Sequence, residues 1–303
     1  MRSRISPTRL IRHRPLLTYF LLCYTVSALA LVVIGPPELH PTRGRPTTAL
    51  VMFPVMVVAV ALIGLLLTRV TQGAPGLRRI RERFGVKVAT RWYALLLVAP
   101  LGILGVLGAL TITLSSAYHP QFLVYGLAAG LVSGFFEEIG WTGYAFPLMS
   151  AKWGWRRASL LLGVLWGVWH LPVVDSLGAA SPHGTSWPAF FVGFVALVAA
   201  MRVLIAWAYV NTGSLRLAQF LHASSTGFLV VLGAPAASPR QEATWYAIYA
   251  LLLWCVALLV MRRQGDLTSL EVTSAPLSPT SASSTPTTSS TPTTSNAPTT
   301  SAS

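Results

Sequence analysis

Acidic side chains are nearly missing from this chain: eight Asp and Glu in 303 residues, against 22 Lys and Arg. Charged residues of both signs reach only 10%, where an average soluble chain carries about 25%, which excludes an ordinary soluble domain. Cysteine is almost as scarce. Cys23 and Cys255 offer neither a disulfide frame nor a Cys-x-x-Cys metal knuckle, and read as small buried apolar residues. No His-Glu-x-x-His occurs, so the common signature of soluble metalloproteases is absent. The formal charge of +14 sits in short segments between apolar runs rather than along one groove, which excludes a nucleic-acid partner. What fills the chain instead is apolar residues, 53% of the total, in runs of about 18 or more that predict membrane-spanning helices.

Eight such runs stand at 16–34, 49–68, 92–114, 122–149, 158–174, 189–210, 215–232 and 244–261. Placing both termini in the cytoplasm puts 18 of the 22 basic residues on the inner side, as the positive-inside rule requires. The expected fold class is therefore all-α: a polytopic membrane helix bundle of about eight transmembrane helices, integral to a membrane, with the lipid bilayer as its first partner. Between the second and third runs, Leu77, Ile80, Phe84 and Val88 recur at helical spacing among five basic residues. That pattern predicts a short interfacial helix on the inner leaflet, with a solvated basic loop as the alternative. The division into domains reads as 1–69 (the first two spans), 70–263 (the core) and 264–303. The last segment repeats Ser-Thr-Pro-Thr-Thr-Ser and holds too few apolar groups to offset chain entropy, so disorder is expected there.

One stretch stands out inside the fourth run: Gly-Phe-Phe-Glu-Glu-Ile-Gly-Trp-Thr-Gly-Tyr over 134–144. A bare pair of charges at the bilayer centre would cost about 5–7 kcal/mol, so Glu137 and Glu138 need a compensating role. They point about 100° apart on a helix and cannot both face one partner directly. Gly140 and Gly143 would let a neighbouring helix approach. His170 lies deep in the fifth run, just before Pro172, where a kink is expected. In the seventh run His222 and Thr226 stand one turn apart and share a face. Counting from the inner boundary puts Glu137 and His170 about 20 Å deep and His222 about 12 Å, depths compatible with one site beneath the inner surface. His13, His40, His119 and His183 fall in loops or the tail and read as solvent residues. Arg202, inside the sixth run, either snorkels to an interface or pairs with a carboxylate.

Glu137-Glu138-x-x-x-Thr142, Trp166-x-x-x-His170 and His222-x-x-x-Thr226, in that order, resemble the motifs of one family. These are the CAAX-protease and bacteriocin-processing (CPBP, or Abi) intramembrane proteases, which include the Rce1-type prenyl-protein endopeptidases. The resemblance covers about residues 70–235. The family pattern has arginine where Thr142 stands and asparagine where Thr226 stands; the first departure removes a fixed cation and the second keeps a hydroxyl donor but loses the amide.

The resemblance implies an intramembrane endopeptidase of a bacterial cell membrane, whose cavity is open to the cytosol and whose partner is a peptide or lipidated protein substrate. Its catalytic residues would be Glu137, Glu138, His170, His222 and Thr226. Glu137, helped by His170, would take a proton from the attacking water; His222 and Thr226 would stabilise the oxyanion, and Glu138 would orient the others. A competing version places a zinc cofactor on Glu137, His170 and His222. Two readings from other classes stay open: a non-catalytic membrane scaffold or immunity protein, motivated by Thr142 and Thr226, and a proton-coupled carrier using the same groups as a relay.

Overall fold

A computed structural model describes residues 11–35 and 48–263; the arginine-rich start, the proline-rich outer loop and the expected disordered tail fall outside these described residues. The described residues form a polytopic bundle of helices joined by short loops, without a strand. In chain order the helices are α1 (Pro15–Ile34), α2 (Thr48–Gly85), a 3-10 stretch (Thr90–Leu97) leading into α3 (Val98–Thr113), and α4 (Tyr125–Gly140). A π-helical turn (Trp141–Ala145) joins α4 to α5 (Phe146–Trp169), followed by the single turn α6 (Val174–Leu177), then α7 (Trp187–Thr212), α8 (Leu215–Val231) and α9 (Pro239–Arg263). Five of these helical segments are long and apolar enough to cross a membrane: α1, α2, the stretch ending in α3, α7 and α9. The three remaining span-like helices, α4, the second part of α5 and α8, are shorter and carry, or in the case of His170 lead directly to, Glu137, Glu138, His170 and His222.

Two glycines set turns that composition alone did not place. Gly154 has φ 75° and divides α5. Trp166 hydrogen-bonds Glu137 across this break, so the two arms fold back on each other with Lys152, Arg156 and Arg157 at the turn. Gly73, at φ 68°, divides α2 likewise. Beyond it Ile80 is buried, Leu77 and Phe84 are half-buried, and Arg78, Arg79 and Arg81 are exposed, the amphipathic face expected of the interfacial helix. Val88 lies past its end. α2 runs unbroken across the 69/70 division. Arg12 and Val70, Ser214 and Val86, and Arg156 and Met261 are hydrogen-bonded pairs, which gathers the basic turns at one end of the bundle. At the other end, Gln121 and Leu123 bond to the backbone of Gly233 and Val231.

The centre of the bundle is α7, whose apolar window is 72% buried, where those of α2, α3 and α9 are 33% buried. It has α5, α8 and α9 around it, and it ends on Gly213 in the left-handed region, φ 66°, followed by Ser214, whose hydroxyl caps α8 by accepting from the Leu217 N–H. The tightest seam joins α4 to α8. A methyl group on Gly130 would lie 2.4 Å from the Ala223 carbonyl and 2.6 Å from Gly227 Cα; one on Gly134 would lie 2.4 Å from the Gln219 carbonyl. Small residues four apart let backbones touch where lipid supplies no hydrophobic drive between helices. Of the two glycines singled out in the sequence, Gly140 makes such an approach, against Val60 and Tyr19, while Gly143 does not: its nearest neighbour would stand at 3.7 Å.

Candidate functional site

The α4–α8 seam and the α5 fold-back bring remote polar groups together. Glu137 is fully buried, and one of its oxygens, Oε2, accepts from the indole N–H of Trp166 at 2.7 Å and of Trp141 at 3.1 Å. Its other oxygen, Oε1, is buried with no partner. Trp141 begins the π-helical turn, an insertion of the kind that re-aims side chains at functional sites. His170 is the C-terminal cap of α5. The helix stops there instead of kinking through Pro172, since proline cannot continue the backbone ladder. Its Nδ1 stands 2.9 Å from the Trp166 carbonyl; because a carbonyl only accepts, Nδ1 carries the proton and Nε2 presents a lone pair in the neutral ring.

Glu138 faces a different set, as its 100° offset requires. Arg202 of α7 reaches it with Nη1 at 2.9 and 3.1 Å and Nη2 at 3.1 Å, and Nη2 also donates to the Thr142 hydroxyl at 3.0 Å. Thr142 in turn donates to Glu138 Oε2, and His222 Nδ1 stands 2.9 Å from Glu138 Oε1. All four groups are fully buried. Of the two fates open to Arg202, the structure has it paired. The guanidinium that the sequence pattern omits at position 142 is delivered to the same glutamate from a neighbouring helix. Charge neutralisation and fork-to-carboxylate geometry together make a buried arginine tolerable.

The two halves meet at Trp166, whose ring packs edge-on against His222 at 4.6 Å, with the Arg202 guanidinium 5.6 Å above it. Trp166, His170, Ser225 and Thr226 close one end of a cavity of about 140 Å³, room for several waters. Glu137 and His222 do not line it; Trp166 stands between them and the space. Thr226 is half-buried and faces the cavity rather than the glutamates.

For the zinc alternative, Glu137 Oε1 and His222 Nε2 are free donor atoms. However, no three His, Cys, Asp or Glu among the described residues stand close enough together to hold a metal ion, so the trio does not form a ready ligand set.

Two further features went unread in the sequence. The cavity does not lie beneath the arginine-rich surface: it runs to Leu177, Ala179, Gly233 and Pro235, at the opposite end. Moreover, His183 is not a solvent residue. It is 1% exposed, between Asp175 at 2.6 Å and Glu242 at 2.9 Å, and stacks on Phe190. Burial alone would push the His183 pKa down; hydrogen bonds to the two carboxylates, and their charges, outweigh it and raise it. Glu242 also accepts from the Ala179 and Ala180 N–H groups, fixing the loop at the cavity mouth.

With this geometry in place, residues 119–228 match the family described as Type II CAAX prenyl endopeptidase Rce1-like. That match covers 110 of the 303 residues, so it is this segment that resembles the family. A stretch of 96 residues is 30% identical to the CAAX prenyl protease 2 of Methanococcus maripaludis, covering 30% of this chain and 35% of that protein. The chain thus matches about a third of the length of that curated relative. The Rce1-like segment contains Glu137, Glu138, His170, Arg202, His222 and Thr226, so the whole polar constellation falls within the matched residues.

Proposed function

We propose that this chain is an intramembrane endopeptidase that hydrolyses a peptide bond of a membrane-associated protein or peptide. The observation that carries the reading is the convergence, inside an Rce1-like segment, of two buried glutamates and two imidazoles from three separate arms of the bundle. Glu137 is the general base: both indoles hold Oε2, leaving Oε1 to take a proton from water and later pass it to the departing amine. His170 Nε2 assists by accepting a hydrogen bond from that water. His222, aligned by Glu138 through Nδ1, donates from Nε2 to the developing oxyanion when protonated, and the Thr226 hydroxyl is the second donor. Arg202 and Thr142 hold Glu138 in place for that task. Trp166 must swing aside for water to pass from the cavity to Glu137 and then return to its bond with Oε2 before proton transfer, a gating step of the kind many enzymes use.

That same indole favours one other reading, a non-catalytic scaffold in which Trp166 permanently seals the glutamates. Reconstituted protein offered a peptide library, with and without chelator, separates the two. Glu137→Gln and His170→Ala should each lower cleavage about 10²–10⁴-fold if they act in proton transfer. Cleavage equal to wild type in both would refute the mechanism, and no cleavage by wild type would favour the scaffold. Loss with chelator alone would restore the zinc version.

A further inference from the structure

Resting on the endopeptidase reading, the geometry assigns a task to the first helix: we infer that Tyr24 and Ser27 of α1 are positioning residues of the site, holding the turn that presents Trp166 and His170 to Glu137.

α1 lies outside the Rce1-like segment 119–228. Residues 16–34 carry no charge, and a helix that only spanned the bilayer would need nothing but apolar side chains. Yet the residues it buries are Tyr19, Cys23, Ser27 and Ala30, a partly polar stripe on one helical face. A hydroxyl turned toward protein inside a membrane finds an acceptor on a neighbouring helix. Two of them reach backbone carbonyls on the far arm of α5: the Tyr24 hydroxyl donates to Leu165 at 2.7 Å, and that of Ser27 to Trp169 at 2.8 Å. Thr25, on the exposed side, instead turns back to the Leu21 carbonyl of its own helix.

The end of α5 explains why Ser27 matters. The last carbonyls of a helix have no partner within it. Beyond Trp169 the Leu171 N–H goes to Val168, and the Val173 and Val174 N–H groups both go to His170. Pro172 has no N–H to give. Ser27 therefore supplies the Trp169 carbonyl with the donor that this backbone does not. The two contacts bracket the working turn. Next to Leu165, Trp166 puts its indole N–H on Glu137 at 2.7 Å and its carbonyl on His170 Nδ1 at 2.9 Å; next to Trp169 stands His170 itself. Moving the bracket moves the Glu137 donor and the imidazole together.

The same helix reaches Glu137 by a second route. Tyr19 meets the Trp141 indole edge-on at 5.6 Å, Phe20 stacks on it at 6.4 Å, and Trp169 adds a third ring contact at 5.8 Å. Trp141 is the other indole on Glu137 Oε2. These ring contacts are ordinary packing; the two hydrogen bonds are directional, and each ends on a carbonyl adjoining a residue of the site.

The test uses the full chain in micelles, with Tyr24→Phe, Ser27→Ala, the double variant, and Thr25→Val as the control. Cleavage of a quenched fluorogenic peptide that the wild type cuts gives kcat and KM per folded molecule, the folded fraction being taken from circular dichroism. Backbone amide exchange is followed by mass spectrometry on the same samples. Because a displacement of about 1 Å can cost about 10²-fold in rate, the double variant should lose about 10–10²-fold in kcat with KM little changed, each single variant part of that, and Thr25→Val nothing. Exchange should rise in peptides covering 165–174 while 215–231 stays as in wild type. Wild-type kcat in the double variant overturns the inference. So does a loss that vanishes once activity is divided by the folded fraction, a rise in KM alone, or exchange that rises equally in 215–231; all of these leave the endopeptidase reading intact. A wild type that cuts no peptide defeats the endopeptidase reading instead, and exchange confined to 165–174 would then still show α1 holding that turn.

Discussion

Arg202→Met is the perturbation that most directly tests how the buried site is held. It removes the three contacts to Glu138 at 2.9–3.1 Å and the 3.0 Å contact to Thr142, leaving a carboxylate in a fully buried position. Breaking a buried pair from one side costs about 3–5 kcal/mol, because the remaining charge is uncompensated. At about 1.4 kcal/mol per decade, that is a fall of two to three and a half decades in the folding constant. The measurement is unfolding in mixed micelles, followed by helical circular dichroism and by cleavage. Glu138→Gln alone strands the guanidinium and should cost a similar amount. The double variant carries neither charge, so it should recover much of the loss, giving a coupling energy of about 2–4 kcal/mol in the cycle. Relocating the cation gives a sharper arm: Thr142→Arg combined with Arg202→Thr places a guanidinium one turn from Glu138 on its own helix, and should restore activity that Arg202→Thr alone abolishes. A single Arg202→Met variant as stable and active as wild type would refute the reasoning, since the pair would then hold nothing.

Three further outcomes follow from the geometry. Gly130→Ala forces a methyl to within 2.4 Å of the Ala223 carbonyl and should destabilise the bundle by about 1–3 kcal/mol, whereas Gly143→Ala should unfold like wild type; equal effects in the same micelle titration would argue against the seam. Trp166→Phe keeps the ring against His222 but deletes the 2.7 Å donor to Glu137, a loss of about 1–3 kcal/mol for a buried group hydrogen-bonded to a charge, read as a drop in kcat larger than any change in KM. The raised pKa of His183 makes its clamp a low-pH asset: the added stability is complete below about 6.5, the ordinary imidazole value, and is lost as pH rises through the folded value. Protease nicking of the 178–183 loop should therefore increase with pH in the wild type and be high and pH-independent in His183→Gln; a flat wild-type profile would count against the clamp.

How much of this could be read from the chain itself depended on the kind of contact. The helical bundle was legible because apolar runs and arginine turns are properties of contiguous sequence. The position of His170 illustrates the limit. Counting about 20 Å from Arg157 is sound at 1.5 Å per residue, but the arm after Gly154 ends at Trp169, so 20 Å is its far end and not its middle. The turn at Gly154 and the helix end before Pro172, not hydropathy, decide which surface the histidine lies near. His183 was misread for a related reason: a loop position predicts solvent, and Glu242, which buries it, is 59 residues away. Arg202 is the instructive case. Its contact to Glu138 spans 64 residues and no periodicity announces it, yet elimination could have found it. Of the eight acids in the chain, Glu137 and Glu138 alone lie deep within the apolar runs, and an arginine buried at that depth must find a carboxylate or give up its place. The absent motif arginine and the surplus intramembrane arginine were two sides of one vacancy, visible together only when charges are balanced across the whole span set instead of motif by motif.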